Sequence, residues 1–225
     1  ITDDTVVNIT DNQTLVAQWV VNSYKISFMS DDAIVKEDTL GYGEEIVFPS
    51  EPVKEGHNFS GWVADVTVTD SKMPASNVVF TAQWAVNSYT LTFDYRNGTN
   101  TSTVLTYNET ITYPMNLIRE GYTFNGWEPK LERMPAHNVT VVAQWTANNY
   151  TIFFEANKGS PVLPITLPYN ETIGNLPNST REEFTFAGWF TDKGFTTPFS
   201  AMHMPAHNIT LYAKWNSIDI WTHTH

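Results

Sequence analysis

The sequence predicts a tandem array of small β-rich units, mostly strand with little helix. Three observations carry that prediction: a repeat marked by tryptophan, apolar residues alternating with period two, and turn residues at aligned positions. Four segments end alike, Leu15-Val-Ala-Gln-Trp19, Phe80-Thr-Ala-Gln-Trp84, Val141-Val-Ala-Gln-Trp145 and Leu211-Tyr-Ala-Lys-Trp215, and their tryptophans are 65, 61 and 70 residues apart. A new start follows each of the first three, at Val21-Asn-Ser-Tyr24, Val86-Asn-Ser-Tyr89 and Ala147-Asn-Asn-Tyr150. Three whole copies therefore follow the end of a fourth. The expected boundaries are 1–19 for the C-terminal part of a preceding repeat, 20–84, 85–145 and 146–215 for repeats 1 to 3, and 216–225 for a tail or the start of a following segment.

Within each copy the opening segment alternates through positions such as Tyr89, Leu91 and Phe93, as a half-buried strand does. A shorter strand is expected over Thr110-Ile-Thr-Tyr113, ended by Pro114, which has no N–H to donate. Gly43, Asn108 and Asn170 share one aligned position after a tyrosine, and the two residue types share tolerance of positive φ, so a left-handed turn is expected there. Next come Lys54-Glu-Gly-His-Asn-Phe-Ser-Gly-Trp62, Arg119-Glu-Gly-Tyr-Thr-Phe-Asn-Gly-Trp127 and Arg181-Glu-Glu-Phe-Thr-Phe-Ala-Gly-Trp189. The glycine before each tryptophan suggests close backbone approach or a bulge, for steric reasons. Met73-Pro-Ala, Met134-Pro-Ala and Met204-Pro-Ala then introduce the closing strands. In these strands Val78, Phe80, Ala82 and Trp84, then Val139, Val141, Ala143 and Trp145, then Ile209, Leu211, Ala213 and Trp215 fall on one face. That face is inward, because the alternate positions vary among Thr, Val, Tyr, Gln and Lys.

Units of this size, without disulfide or metal, sit near the lower limit for an independent core, so aromatics must fill it. Trp19, Trp62, Trp84, Trp127, Trp145, Trp189 and Trp215 are the predicted structural core. The connections between copies, 85–88 and 146–149, are short and lack Gly or Pro runs, which predicts restricted orientations between neighbours.

Composition narrows the function. The net charge is -12, and Asn, Ser and Thr together make 63 of 225 residues, so uncharged polar groups supply much of the solubility. An acidic chain without a Lys/Arg stripe lacks the electrostatic footprint of a nucleic-acid binder. The absence of cysteine removes disulfides, thiolate nucleophiles and Cys-ligated metals. No run of 18 apolar residues exists, so no membrane-spanning segment is expected.

The Arg119 to Trp127 string, the opening Tyr-Thr-Leu-Thr-Phe93, the Tyr-Asn-Glu-Thr110 turn and the closing Thr-Val-Val-Ala-Gln-Trp145 together resemble the Listeria-Bacteroides repeat, the internalin B-repeat family, over residues 20 to 215. The resemblance implies tandem β-grasp (ubiquitin-like) modules, a β-rich α+β fold, in surface or secreted proteins that use them as stalks, spacers or adhesive segments. It brings no catalytic residue. A β-grasp crossover would fall between Pro114 and Glu120, where Met115-Asn-Leu-Ile118 holds a turn of helix at most. Repeat 3 departs from the pattern with Glu183 in place of Gly56 and Gly121, and with an insert from Phe190 to Ser200.

A second signal is Asn-x-Ser/Thr, which makes Asn8, Asn12, Asn58, Asn97, Asn100, Asn108, Asn138, Asn149, Asn170, Asn178 and Asn208 candidate N-glycosylation sites. Chance pairing would give about four. Two explanations stand: N-linked glycans from a eukaryotic secretory route, or the composition of turns and strand starts. Asn77 lacks the acceptor, since Val79 follows, so a sequon at that position is not essential to folding.

Candidate chemistry is thin. His203 and His207 have metal-like spacing, but Pro205 places them on a turn, and no metal site is expected. The tail Trp221-Thr-His-Thr-His225 reads as an exposed terminus outside the repeat. Asp3-Asp4, Asp31-Asp32 and Glu44-Glu45 lack the spacing of a calcium loop. No catalytic residue and no cofactor is expected, so the chain reads as a non-enzyme. Two functional readings follow: a semi-rigid extracellular or cell-surface stalk, spacer or filament-building segment, with other segments of a larger protein or copies of itself as partners, or an adhesive module using strand edges or outward aromatics such as Tyr212 on a peptide or glycan.

Overall fold

The computed structural model describes residue 14 and residues 16–218. The chain divides into two compact units, Ile1–Ser88 and Tyr89–His225. The first holds one four-stranded sheet made of β1 (Ser23–Ser30), β2 (Ala33–Gly41), β3 (His57–Ala64) and β4 (Val78–Val86), in the order β2-β1-β4-β3. β1 and β4 pair in parallel at the centre, and each carries an antiparallel partner outside it. The second unit holds two sheets of the same order. One is built from β5 (Ser88–Asp94), β6 (Asn100–Thr106), β7 (Tyr122–Glu128) and β8 (Val139–Ala147), the other from β9 (Asn149–Glu155), β10 (Ile165–Pro168), β11 (Phe184–Phe190) and β12 (Ile209–Ser217).

Among the described residues there is no helix, so the α+β expectation is corrected to all-β. The crossover from the second strand to the third is irregular, and its backbone groups find partners without coiling. In repeat 2, Asn108 N donates to Met134 O at 2.9 Å, Met134 N to Glu109 O at 2.8 Å and Ile111 N to Glu132 O at 3.0 Å. Gly43 and Met73 make the matching bond in repeat 1, as do Asn170 and Met204 in repeat 3. Pairing across the loop thus replaces the i to i+4 ladder, which Pro114 and the left-handed Asn116 (φ 59°) would interrupt. The strand expected at Thr110–Tyr113 reduces to one bridge, Thr110 to Arg133. Beyond it the phenol of Tyr113 takes over, accepting from Leu131 N and donating to Leu131 O at 2.8 and 3.0 Å.

Each sheet has its own core on one face. Val78, Phe80 and Ala82, Val141 and Ala143, and Leu211 and Ala213 are buried, and across the sheet from them lie Ile26 and Phe28, Leu91 and Phe93, and Ile152. The methionines of the Met-Pro-Ala segments, Met73, Met134 and Met204, are each 1% exposed and close the core from the loop side. Trp127 and Trp189 are buried, while Trp62, Trp84, Trp145 and Trp215 are half-buried. Trp19 is 90% exposed, which corrects its assignment to the core: no strand among the described residues precedes it to supply a covering face.

The glycine before each tryptophan is a bulge residue. β3 pairs Phe59 with Trp84, then shifts register so that Gly61 faces Gln83 and Trp62 faces Ala82, and the same shift falls at Gly126 and Gly188. Strict alternation would put Phe59 and Trp62 on opposite faces; the extra residue brings both rings inward, 5.4 Å apart. No atom lies within 4 Å of a Cβ built on Gly61, Gly126 or Gly188, so the steric account is corrected: their φ of 131, 111 and 110° is what requires glycine.

Candidate functional site

The candidate functional features are the outward sheet faces, the sequon asparagines and the joint between repeats 2 and 3. Among the described residues no group of three or more His, Asp or Glu is arranged to hold a metal ion. His137 and His207 instead place Nδ1 within 2.8 and 2.9 Å of the next residue's carbonyl oxygen. Asp31 pairs with Lys54 at 2.7 Å.

The outward faces of the first two sheets mix hydroxyl and amide groups with charged residues and single apolar ones such as Met29, Val63 and Val142. Ser27 donates to Glu37 at 3.0 Å and Lys25 reaches the same carboxylate at 2.7 Å. These bonds, Lys25 foremost, hold the Glu37 carboxyl below its ordinary range. Thr92 lies 2.9 Å from Ser102, and Thr151 in repeat 3 lies 2.9 Å from Thr166. Thr81, Gln83, Thr140 and Gln144 belong to the same faces. In repeat 3 the lining changes: Phe153, Tyr212 and Phe190 share the outward face.

Asn58, Asn97, Asn100, Asn108, Asn138, Asn149, Asn170, Asn178 and Asn208 are all exposed, while Asn8 and Asn12 lie outside the described residues. Several have a structural task. Asn108 and Asn170 adopt φ of 65 and 63°, matching Gly43 at 77°. The Oδ1 atoms of Asn77, Asn138 and Asn208 accept from the backbone N–H of Lys25, Thr90 and Thr151, at 2.9, 2.8 and 2.8 Å. Asn77 makes this bond without being a sequon, so the amide at this position serves the fold in all three repeats. The bond uses Oδ1 and leaves Nδ2, the atom a glycan would occupy, unengaged by it.

The joint between repeats 2 and 3 is a single residue, Asn148, between the last residue of β8 and the first of β9. Its N–H donates to Gly121 O and its carbonyl accepts from Tyr169 N, both at 2.8 Å, while its Oδ1 accepts from the Thr123 hydroxyl at 2.6 Å. One residue is thereby tied to both sheets. The Tyr169 ring meets Tyr122 edge-on at 5.4 Å and lies against Gly121, where a Cβ would come within 2.2 Å of it. Gly121 has φ 75°, but Glu183 at the matching position of repeat 3 holds φ 64° with a full side chain. Backbone conformation alone therefore does not demand glycine there. The tyrosine ring does.

None of this detail was visible as a spacing. The sequence marked Asn148 only as part of a connection expected to run over 146–149, and a ring contact between Tyr169 and Gly121, 48 positions apart, leaves no local pattern.

Comparison with known proteins gives three matches to the family model of the Listeria-Bacteroides repeat domain, over residues 24–83, 89–144 and 150–214. A protein of Evansella cellulosilytica provisionally designated a membrane protein is 32% identical over 96% of this chain and 36% of its own length. A second from the same organism, provisionally designated a Gly-rich membrane protein, is 32% identical over 95% of this chain and 26% of its own. Internalin H of Listeria monocytogenes is 38% identical over 49% of this chain and 23% of its own. The chain thus spans between about a quarter and a third of these relatives.

Proposed function

The chain belongs to the Listeria-Bacteroides repeat family, and from that membership we propose that it is a non-enzymatic, semi-rigid spacer within a larger extracellular or cell-surface protein. The designations of its relatives as membrane proteins and an internalin support the location. The observation that carries the mechanical reading is the joint at Asn148. A tether of flexible residues would let two sheets tumble apart, whereas one residue bonded on both sides, with a ring seated on a bare Cα, fixes their angle. Each unit is read as a β-grasp sheet without its helix, supported by the order with a parallel inner pair.

Glycosylation fits the same reading. Asn97, Asn100 and Asn108 flank or begin β6, an edge strand with no charged residue, where attached glycans would block strand pairing with a second copy. Without them that edge is the place where copies would join into a filament.

Residual dipolar couplings on the full chain test the spacer reading. The strands β5–β8 and β9–β12 are expected to share one alignment tensor, and Asn148→Gly combined with Tyr169→Ala is expected to split it. Two unrelated tensors in the unaltered protein would defeat the proposal.

A further inference from the structure

One lateral row of the outward face sets repeat 3 apart. In repeat 1 the row reads Met29, Thr81 and Val63, and in repeat 2 it reads Asp94, Val142 and Glu128. In repeat 3 it is Glu155, Tyr212 and Phe190. The insert following Phe190 folds back beside this row: Phe190 bridges to Pro198, and Phe195 meets the Phe190 ring edge-on at 5.9 Å. Between insert and sheet runs a groove of about 390 Å³ lined by Glu155, Asn157, Lys193, Phe195 and Tyr212. That volume lies at the lower end of small-molecule sites, roughly 300 to 1,000 Å³.

The insert is built to hold this shape. Phe195 sits at φ 54°, a conformation that a bulky side chain adopts only when its surroundings impose it. Asp192 imposes it. Its carboxylate accepts from Thr196 N at 3.1 Å and Thr197 N at 2.8 Å, its carbonyl accepts from Phe195 N at 3.1 Å, and Thr191 N donates to Thr197 O at 3.0 Å.

We propose that this groove binds a neutral carbohydrate, with the C–H face of a sugar ring against Tyr212 and its hydroxyls on Glu155, Lys193 and Oδ1 of Asn157. The ligand class follows from the lining. Glu155 and Lys193 supply one carboxylate and one ammonium, with Lys193 Nζ 5.8 Å from the centroid of the Tyr212 ring and Lys214 Nζ 5.0 Å from that of the neighbouring Phe190, so an anionic partner meets Glu155 and a cationic one meets the two lysines, whereas hydroxyl groups use both kinds of charge as acceptor and donor. Asn157 Nδ2 is committed to Ala213 O at 2.8 Å, which leaves its Oδ1 to accept. An extended peptide has no strand to add to here, because β12 is already paired on both sides by β9 and β11. The inference is independent of the spacer reading, which concerns the joint and not this face.

The test is a titration of the full chain with cellohexaose, xylohexaose, maltohexaose and chitohexaose, followed by amide shifts in the 191–197 loop and by calorimetry. A heparin dodecasaccharide and an extended decapeptide serve as contrasts. At least one neutral hexasaccharide is expected to shift the loop amides. Tyr212→Thr, which installs the residue that repeat 1 carries as Thr81, is expected to weaken binding by about tenfold at an unchanged melting temperature. Tyr212→Phe is expected to retain it. No response to any of the four, a response that survives Tyr212→Thr, or binding of heparin or the peptide in their place overturns the proposal.

Discussion

Gly121→Ala probes the joint between repeats 2 and 3, because its cost divides into two parts. The first is conformational: an alanine held at φ 75° costs on the order of 1 kcal/mol or more relative to glycine. The second is contact: the new Cβ would lie 2.2, 2.3 and 2.7 Å from three carbons of the Tyr169 ring, so the ring must leave its seat. Displacement forfeits the edge-on contact with Tyr122, about 0.5 to 1.5 kcal/mol beyond the area it covers, and strains the Tyr169 N to Asn148 O bond, worth about 1 kcal/mol. In a Tyr169→Ala background only the conformational part survives. A double-mutant cycle by urea unfolding of the full chain is therefore expected to give a coupling energy of roughly 1 to 2 kcal/mol. Equal costs of Gly121→Ala with and without the ring would refute the argument that tyrosine selects glycine here.

Four further outcomes are expected. Trp127→Ala removes a ring packed within 5.0 Å of Phe93 and 5.4 Å of Tyr95 and orphans Pro114 O, so it should destabilise repeat 2 by about 3 to 5 kcal/mol, and an unaltered thermal melt would contradict its place in the core. Trp145 and Trp215 donate Nε1–H to Tyr95 O and Ala156 O at 3.0 and 2.9 Å, whereas the buried Trp84 Nε1 has no partner among the described residues; Trp145→Phe should therefore cost about 1 kcal/mol more than Trp84→Phe in equilibrium unfolding. Asn138→Ala should lower stability by about 1 kcal/mol even in protein made without glycans, while Thr140→Ala, which abolishes the same sequon and keeps the bond to Thr90 N, should leave the melt nearly unchanged. The backbone N–H groups of Thr196 and Thr197 hold the Asp192 carboxyl below its ordinary value of 3.8, so the loop's order should be fully present above that pH and be lost as pH falls through the lower folded value. Thr196 and Thr197 amide exchange against pH reads this, and loosening that begins well above pH 3.8 would exclude the carboxylate as the cause.

The strands and their inward faces were legible because period-two alternation survives in each copy. The shared position of Gly43, Asn108 and Asn170 likewise revealed a left-handed turn before any coordinate. The bulge was half legible. The glycine stood out, but the pairing of Phe59 with Trp84 and Trp62 with Ala82 emerges only when two strands are laid side by side. The crossover was misjudged because a loop that bonds to the Met-Pro-Ala segment has no periodicity to read. For the outward aromatics, Tyr212 was visible at one of the variable outward positions of the closing strand. Phe195 was not, since its position depends on how the Asp192 loop folds back.

The seat under Tyr169 works as a socket with a one-atom gauge. At Gly121 the bare Cα admits the ring of the following module, and a Cβ in its place would meet that ring at 2.2 Å. A designer stringing such modules together could set stiff and loose hinges by editing this one site, leaving every sheet and every core untouched.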